Sequence, residues 1–155
     1  IDDGAGNASF QGNIAAANLP AVKQASRNTG TALITNNSVT LIEDITVNVP
    51  ASGFLHITCS SVLYAFTSTP TSSEVFLELK ETTGTEVLIK ESPLRVSPPL
   101  SGPDMAIESS QVIHHVIPVS AGVRKFKVRI RHAGGGGGGT LRGGDITVMY
   151  FPSGL

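Results

Sequence analysis

The sequence predicts an all-β fold, a two-sheet antiparallel sandwich of about eight strands behind an N-terminal arm. Three observations carry this. Stretches of alternating apolar and polar residues recur from Thr31 onward, each closed by turn-forming residues. No stretch reads convincingly as a helix. The 155 residues suit one domain, long enough to bury a two-layer core. Strands are expected near 31–35, 39–49, 54–66, 74–80, 86–90, 111–119, 123–131 and 145–151. The breaks fall at Asn36-Asn37, Pro50 to Gly53, 68–73, Thr82-Thr83-Gly84, a Pro-rich loop at 93–103, Ser120-Ala121-Gly122 and the glycine run. Eight strands without a helix point to a sandwich or jelly roll.

Residues 1–30 are expected to form an arm or assembly segment, and 31–155 the sandwich domain. The arm is rich in Gly, Ala and Asn and poor in large apolar side chains. Ala8, Phe10, Gly12 and Ile14 alternate with Ser9, Gln11 and Asn13, a period-two pattern that fits a strand. Residues 13–25 are alanine-rich but broken by Pro20, at best a short helix. Two readings stand: a flexible arm, or a segment that orders only against another subunit.

The faces of the strands say more than their number. Ile45, Val47 and Val49 oppose Thr46 and Asn48. Val75, Leu77 and Leu79 oppose Glu74, Glu78 and Lys80, with Phe76 the exception. Val87 and Ile89 oppose Glu86 and Lys90, and Phe126, Val128 and Ile130 oppose Lys125, Lys127, Arg129 and Arg131. Such strands belong to a sheet with one face in the core and one in water. The stretches 62–66, 111–119 and 146–151 are instead apolar on both faces. A sandwich supplies one interior, so something else must cover their second face.

The stretches Ile45 to Cys59 (ITVNVPASGFLHITC), His115 to Ile130 (HVIPVSAGVRKFKVRI) and Gly143 to Pro152 (GGDITVMYFP) resemble the jelly roll of the tumour necrosis factor and complement-head superfamily. The resemblance covers about the last 120 residues as a pattern of strands. It implies an inner sheet of the first, third, sixth and eighth strands and an outer sheet of the others. The two-sided strands fall in the inner set and the one-sided strands in the outer set. Family members form trimers by packing inner sheets about a three-fold axis. The resemblance therefore implies a subunit interface on this chain, expected to hold Tyr64, Phe66, Val112, Val116 and Tyr150, with Phe10 and Ile14 from the arm.

Composition narrows the function. Charged residues make up 15%, against roughly 25% in ordinary soluble proteins, a balance common on extracellular and structural surfaces. A net charge of −1 gives no global field to draw in nucleic acid or an anionic membrane. No apolar run approaches the ~18 residues of a membrane-spanning helix. A single cysteine, Cys59, allows no intrachain disulfide; it shares a face with Leu55 and Ile57 and reads as a buried thiol.

Lys125, Lys127, Arg129 and Arg131 form a cationic ladder with a spacing of roughly 7 Å, a candidate polyanion contact. Against that stands pairing with Glu74 and Glu78 on the strand expected beside it. The run Gly134 to Gly139 lacks the Gly-Lys-Ser/Thr ending and following helix of a phosphate loop, and reads as a hairpin tip or linker. His114 and His115 are adjacent on a strand and point to opposite faces, a poor chelating arrangement. No catalytic, metal or cofactor constellation is visible. The expectation is a non-catalytic, self-assembling extracellular or surface protein, structural or adhesive, a trimeric head or filament subunit. The alternative is a receptor- or glycan-binding module such as a phage fibre tip or adhesin domain. Neither reading calls for nucleic acid or membrane insertion.

Overall fold

A computed structural model describes residues 22–27, 31–33, 38–67, 72–97, 104–134 and 137–153. They form nine strands: β1 (Val22–Arg27), β2 (Thr31–Leu33), β3 (Ser38–Val49), β4 (Gly53–Thr67), β5 (Ser73–Glu81), β6 (Val87–Val96), β7 (Met105–Val119), β8 (Gly122–Gly134) and β9 (Gly137–Pro152). One sheet runs β1-β9-β4-β7, with β2 also on β9; the other runs β3-β8-β5-β6. All pairings are antiparallel. This is a jelly-roll sandwich, and its strands sort between the sheets as their one-sided and two-sided patterns predict.

The sheets bury their facing sides in one core. Ile45, Val47, Val49, Val75, Leu77, Leu79, Phe126, Val128 and Ile130 come from the four-stranded sheet. Leu55, Ile57, Cys59, Leu63, Ala65, Ile113, Ile146, Val148 and Tyr150 meet them from the five-stranded sheet. Burying each large side chain contributes about 1.5–3 kcal/mol. Phe76, odd on its polar strand face, lies beneath the Arg131 guanidinium, 4.1 Å from the ring centroid. Gly84 (φ 82°) and Gly122 (φ 140°) serve two of the expected turns with backbone angles that favour glycine.

Four stretches differ from expectation. Val22–Arg27, which takes in the described end of the alanine-rich segment, is a strand, because β9 offers it an unpaired edge in the register Val22↔Met149 to Arg27↔Gly144. Strand β6 continues through Pro93 to Val96 where a loop was expected. It is an edge strand, and a proline without an N–H is tolerated on an unpaired side. Strand β7 starts at Met105, pairing Met105–Gln111 with Ser61–Thr67, although that stretch has little apolar alternation. The glycine run is in large part strand: Gly137–Gly139 open β9 opposite Ala65–Thr67.

Glycine is needed there by close approach. A Cβ at Gly139 would stand 2.7 Å from Val75 Cγ2 and 2.9 Å from the Tyr64 carbonyl oxygen. Gly139→Val is therefore expected to destabilise the fold by about 1–3 kcal/mol through overpacking, measured as a lower urea midpoint. An unchanged midpoint would refute the close packing of β9 between β4 and β5.

Candidate functional site

The outward face of the five-stranded sheet is built in rows across β9, β4 and β7. Pairing places Phe151, Phe54 and Pro118 side by side, then Met149, His56 and Val116, then Thr147, Thr58 and His114. Asp145, Ser60 and Val112 form the next row, followed by Val62 beside Ser110. The far end holds Thr140, Tyr64 and Glu108, then Gly138, Phe66 and Ala106. The β4 residues of these rows alternate with Leu55, Ile57, Cys59, Leu63 and Ala65, which point into the core, so strand parity sends them outward.

The result is an apolar band at each end with a largely polar middle. Phe54, Phe66, Val112, Val116 and Phe151 are exposed, Val116 at 55% and Phe54 at 46%. Val62, Tyr64 and Met149 are half-buried. In the middle, Ser60 Oγ donates to Asp145 Oδ2 at 2.9 Å, and Thr58 Oγ1 lies 3.0 Å from His114 Nδ1. The His56 and His114 rings have centroids 6.1 Å apart.

Tyr64, Phe66, Val112 and Val116 stand on this face, where the sequence pattern puts them. Tyr150 does not. It is fully buried in the core beside Ile146 and Val148, and its hydroxyl donates to the Ala51 carbonyl at 3.1 Å. The outward residues of that segment are Met149 and Phe151. The end of β9 is apolar on both faces, and shared parity with Ile146 and Val148, opposite to Asp145 and Thr147, marks Tyr150 as internal. Phe54, also absent from the expected set, is outward by the same rule. Phe10 and Ile14 lie outside the described residues.

The opposite outer face, on the four-stranded sheet, is held by ion pairs. Glu78, only 2% exposed, accepts from Arg129 Nε and Arg131 Nε, both at 2.7 Å. Arg131 also reaches Glu91 at 3.2 Å, and Lys127 reaches Glu86 at 3.5 Å. The hydrogen bond from Lys80 holds the Glu86 carboxyl below its usual pKa. Glu74, expected to face the ladder, pairs instead with Arg95 at 3.3 Å. Of the ladder cations, Lys125 stands outside these pairs.

The reactive side chains are sealed in. Burial, with the Asp145 charge second, pushes the Cys59 thiol up to about 12, so it stays protonated and inert. His132 Nε2 sits 2.7 Å from Ser73 Oγ, a nucleophile–base spacing, but both residues are buried beyond reach of a substrate. Among the described residues no three His, Cys, Asp or Glu side chains are grouped to hold a metal ion. No helix among them is long and apolar enough to cross a membrane. A shallow cavity of about 520 Å³ opens at one end of the sandwich, between Phe54, Pro118, Arg124 and the serines Ser52, Ser120 and Ser153.

Fold and site together define a jelly-roll domain with one outer face partly apolar and the other charge-compensated. No protein-family model matches the chain, and no curated protein matches it. Among solved structures it is similar to a chain of the infectious bursal disease virus Gx strain, with 13% identity, TM-score 0.47, and coverage of 87% of this chain and 33% of that one. It is also similar to the Eiger TNF of S. frugiperda, with 17% identity, TM-score 0.40, and coverage of 71% and 66%. A third is the carbohydrate binding module CBM6cm-2 of Cellvibrio mixtus lichenase 5A, in complex with cellotriose, with 19% identity, TM-score 0.29, and coverage of 81% and 85%. The chain spans about a third of the length of the bursal disease virus chain.

Two outcomes are expected. Glu78→Ala leaves Arg129 and Arg131 without their shared carboxylate. Breaking a fully buried pair costs about 3–5 kcal/mol, and the partial exposure of both arginines reduces this to about 2 kcal/mol, read from urea unfolding. His132 is kept below its ordinary 6.5 by burial, so the unfolded chain takes up the extra proton first. Its contribution is complete above about pH 6.5 and is lost as pH falls, by at most about 1.4 kcal/mol per pH unit. Between pH 6.5 and 5 the paired Glu86 stays charged, so His132→Gln should flatten that stretch of the stability profile.

Proposed function

We propose that this chain is a non-catalytic structural subunit whose copies pack through the outward face of the five-stranded sheet, three about a common axis. One observation carries the reading: the two outer faces of the sandwich differ in kind. The four-stranded sheet offers water a network of paired charges, with Val87, Leu88 and Val123 exposed near its turns. The five-stranded sheet offers Phe54, Phe66, Val112, Val116 and Phe151, and no described element covers them. Exposed apolar area of that sort on a small domain marks a contact surface. The low charge content fits an extracellular, cell-surface or virion-surface setting.

The open cavity beside Phe54 favours a second reading, a recognition module for a surface glycan or receptor. Its serine hydroxyls, aromatic ring and guanidinium are groups suited to a sugar. Binding on a glycan array that disappears in Phe54→Ala would support it, and an array without hits would remove it.

Light scattering at micromolar concentration tests assembly. Wild type is expected at about three chain masses. Phe66→Glu and Val116→Lys place charge on each apolar band and are expected to shift the protein to monomer while circular dichroism stays unchanged. A wild-type monomer would sink the proposal.

A further inference from the structure

The exposed face also carries metal-ligating side chains, at the border between one apolar band and the polar middle. His56 lies at the centre of its row, directly opposite Met149 on β9. Cross-strand neighbours have Cβ atoms about 5 Å apart. His114 stands one row on, on the other side of β4, opposite Thr58. Its ring is 6.1 Å from that of His56 between centroids, with the planes 38° apart. Two imidazoles thus sit together on an open sheet surface, and register places Met149 across from the first of them. The nearby carboxylate, Asp145, lies a row beyond Thr58 and is engaged by Ser60 at 2.9 Å.

We infer that His56, His114 and Met149 form a binding site for a soft monovalent metal ion, Cu(I). Three features select that ion. Imidazole with thioether sulfur, and no carboxylate, is a soft donor set. Structural zinc asks for four ligands in a tetrahedron, more than this face supplies, whereas Cu(I) is content with fewer at wider angles. A metal at about 2.0 Å from one nitrogen of each ring holds the centroids about 5 Å apart at a tetrahedral angle and about 6 Å apart as the angle opens toward linear. The observed spacing matches the wider angle.

Thr58 positions the second ligand. When His114 Nδ1 carries the ring hydrogen it donates to Thr58 Oγ1, 3.0 Å away, and Nε2 keeps its lone pair for the metal. Such an outer partner fixes the tautomer and the ring orientation of a ligating histidine. Sequence spacing hides the set. His56, His114 and Met149 are far apart along the chain, and only the joint register of β9, β4 and β7 makes them neighbours. Cys59, the one thiol, is buried and protonated, and Met105 lies at the far end of β7.

The inference concerns one copy of the face and does not depend on assembly. Its test is an anaerobic titration of the full chain with Cu(I) in competition with a chromophoric chelator such as bicinchoninate, run on wild type and on Phe66→Glu. One Cu(I) per chain is expected. Met149→Leu should bind about tenfold more weakly, His114→Ala should lose the site, and Thr58→Val should weaken it by about tenfold or more. Cys59→Ser should bind as wild type. No Cu(I) retained against the chelator by either form, or retention unaltered by Met149→Leu and His114→Ala, overturns the site. Light scattering on the same samples reports assembly separately, so copper without oligomer and oligomer without copper are distinct results.

Discussion

The register of β4 is the constraint on which the rest depends. Among the described residues it and β5 are paired along nearly their whole length on both sides, and β4, held by β9 and β7, is the longer of the two. Side chains alternate strictly along a strand, so a slip of one residue would turn its entire apolar set out of the core. Leu55, Ile57, Cys59, Leu63 and Ala65 would face water, and Phe54, His56, Tyr64 and Phe66 would be forced inward. The pairing with β9 is not uniform. Between Ser61↔Gly144 and Leu63↔Leu141 the β9 side carries one extra residue, a bulge in which Gly143 takes φ 116°. Ser61 Oγ donates to the Gly143 carbonyl at 2.7 Å and pins it. The bulge bends β9 without disturbing the inward row of Ile146, Val148 and Tyr150.

Much of this was legible in the residues. Alternation located the long strands, and the contrast between one-sided and two-sided strands separated the sheets, because solvent selects Glu, Lys and Arg on a wet face. The same logic explains the failures. Tyr150 was placed on the wrong side because Met149 and Phe151 make the end of β9 apolar on both faces, and the residues that mark the outside, Asp145 and Thr147, lie earlier in the strand. The glycine run and the Val22–Arg27 strand escaped because their pairing is set by distant partners. Glycine has no side chain through which alternation can show. Pro93 read as a loop residue because its tolerance depends on lying at a sheet edge, which is a property of topology.

The charge network shows how a basic ladder is made harmless to the fold. Glu78 sits opposite Arg129 in register and one diagonal step from Arg131, close enough for one carboxylate to serve two guanidinium groups. Phe76 beneath Arg131 supplies a second attraction that needs no counter-ion. The sequence displayed four cations in a row. The structure turns most of them into cross-strand ties between β8, β5 and β6.

Pro93 has a consequence for how copies of this molecule can meet. An open sheet invites growth, since its last strand offers unpaired amide and carbonyl groups to any passing β-segment. On β6 that invitation is withdrawn midway. The ring leaves a gap in the donor row, and Lys90, Glu91 and Arg95 flank it with charge. A newcomer could not zip along this border without losing hydrogen bonds and desolvating ions. Strand addition is therefore disfavoured on that side.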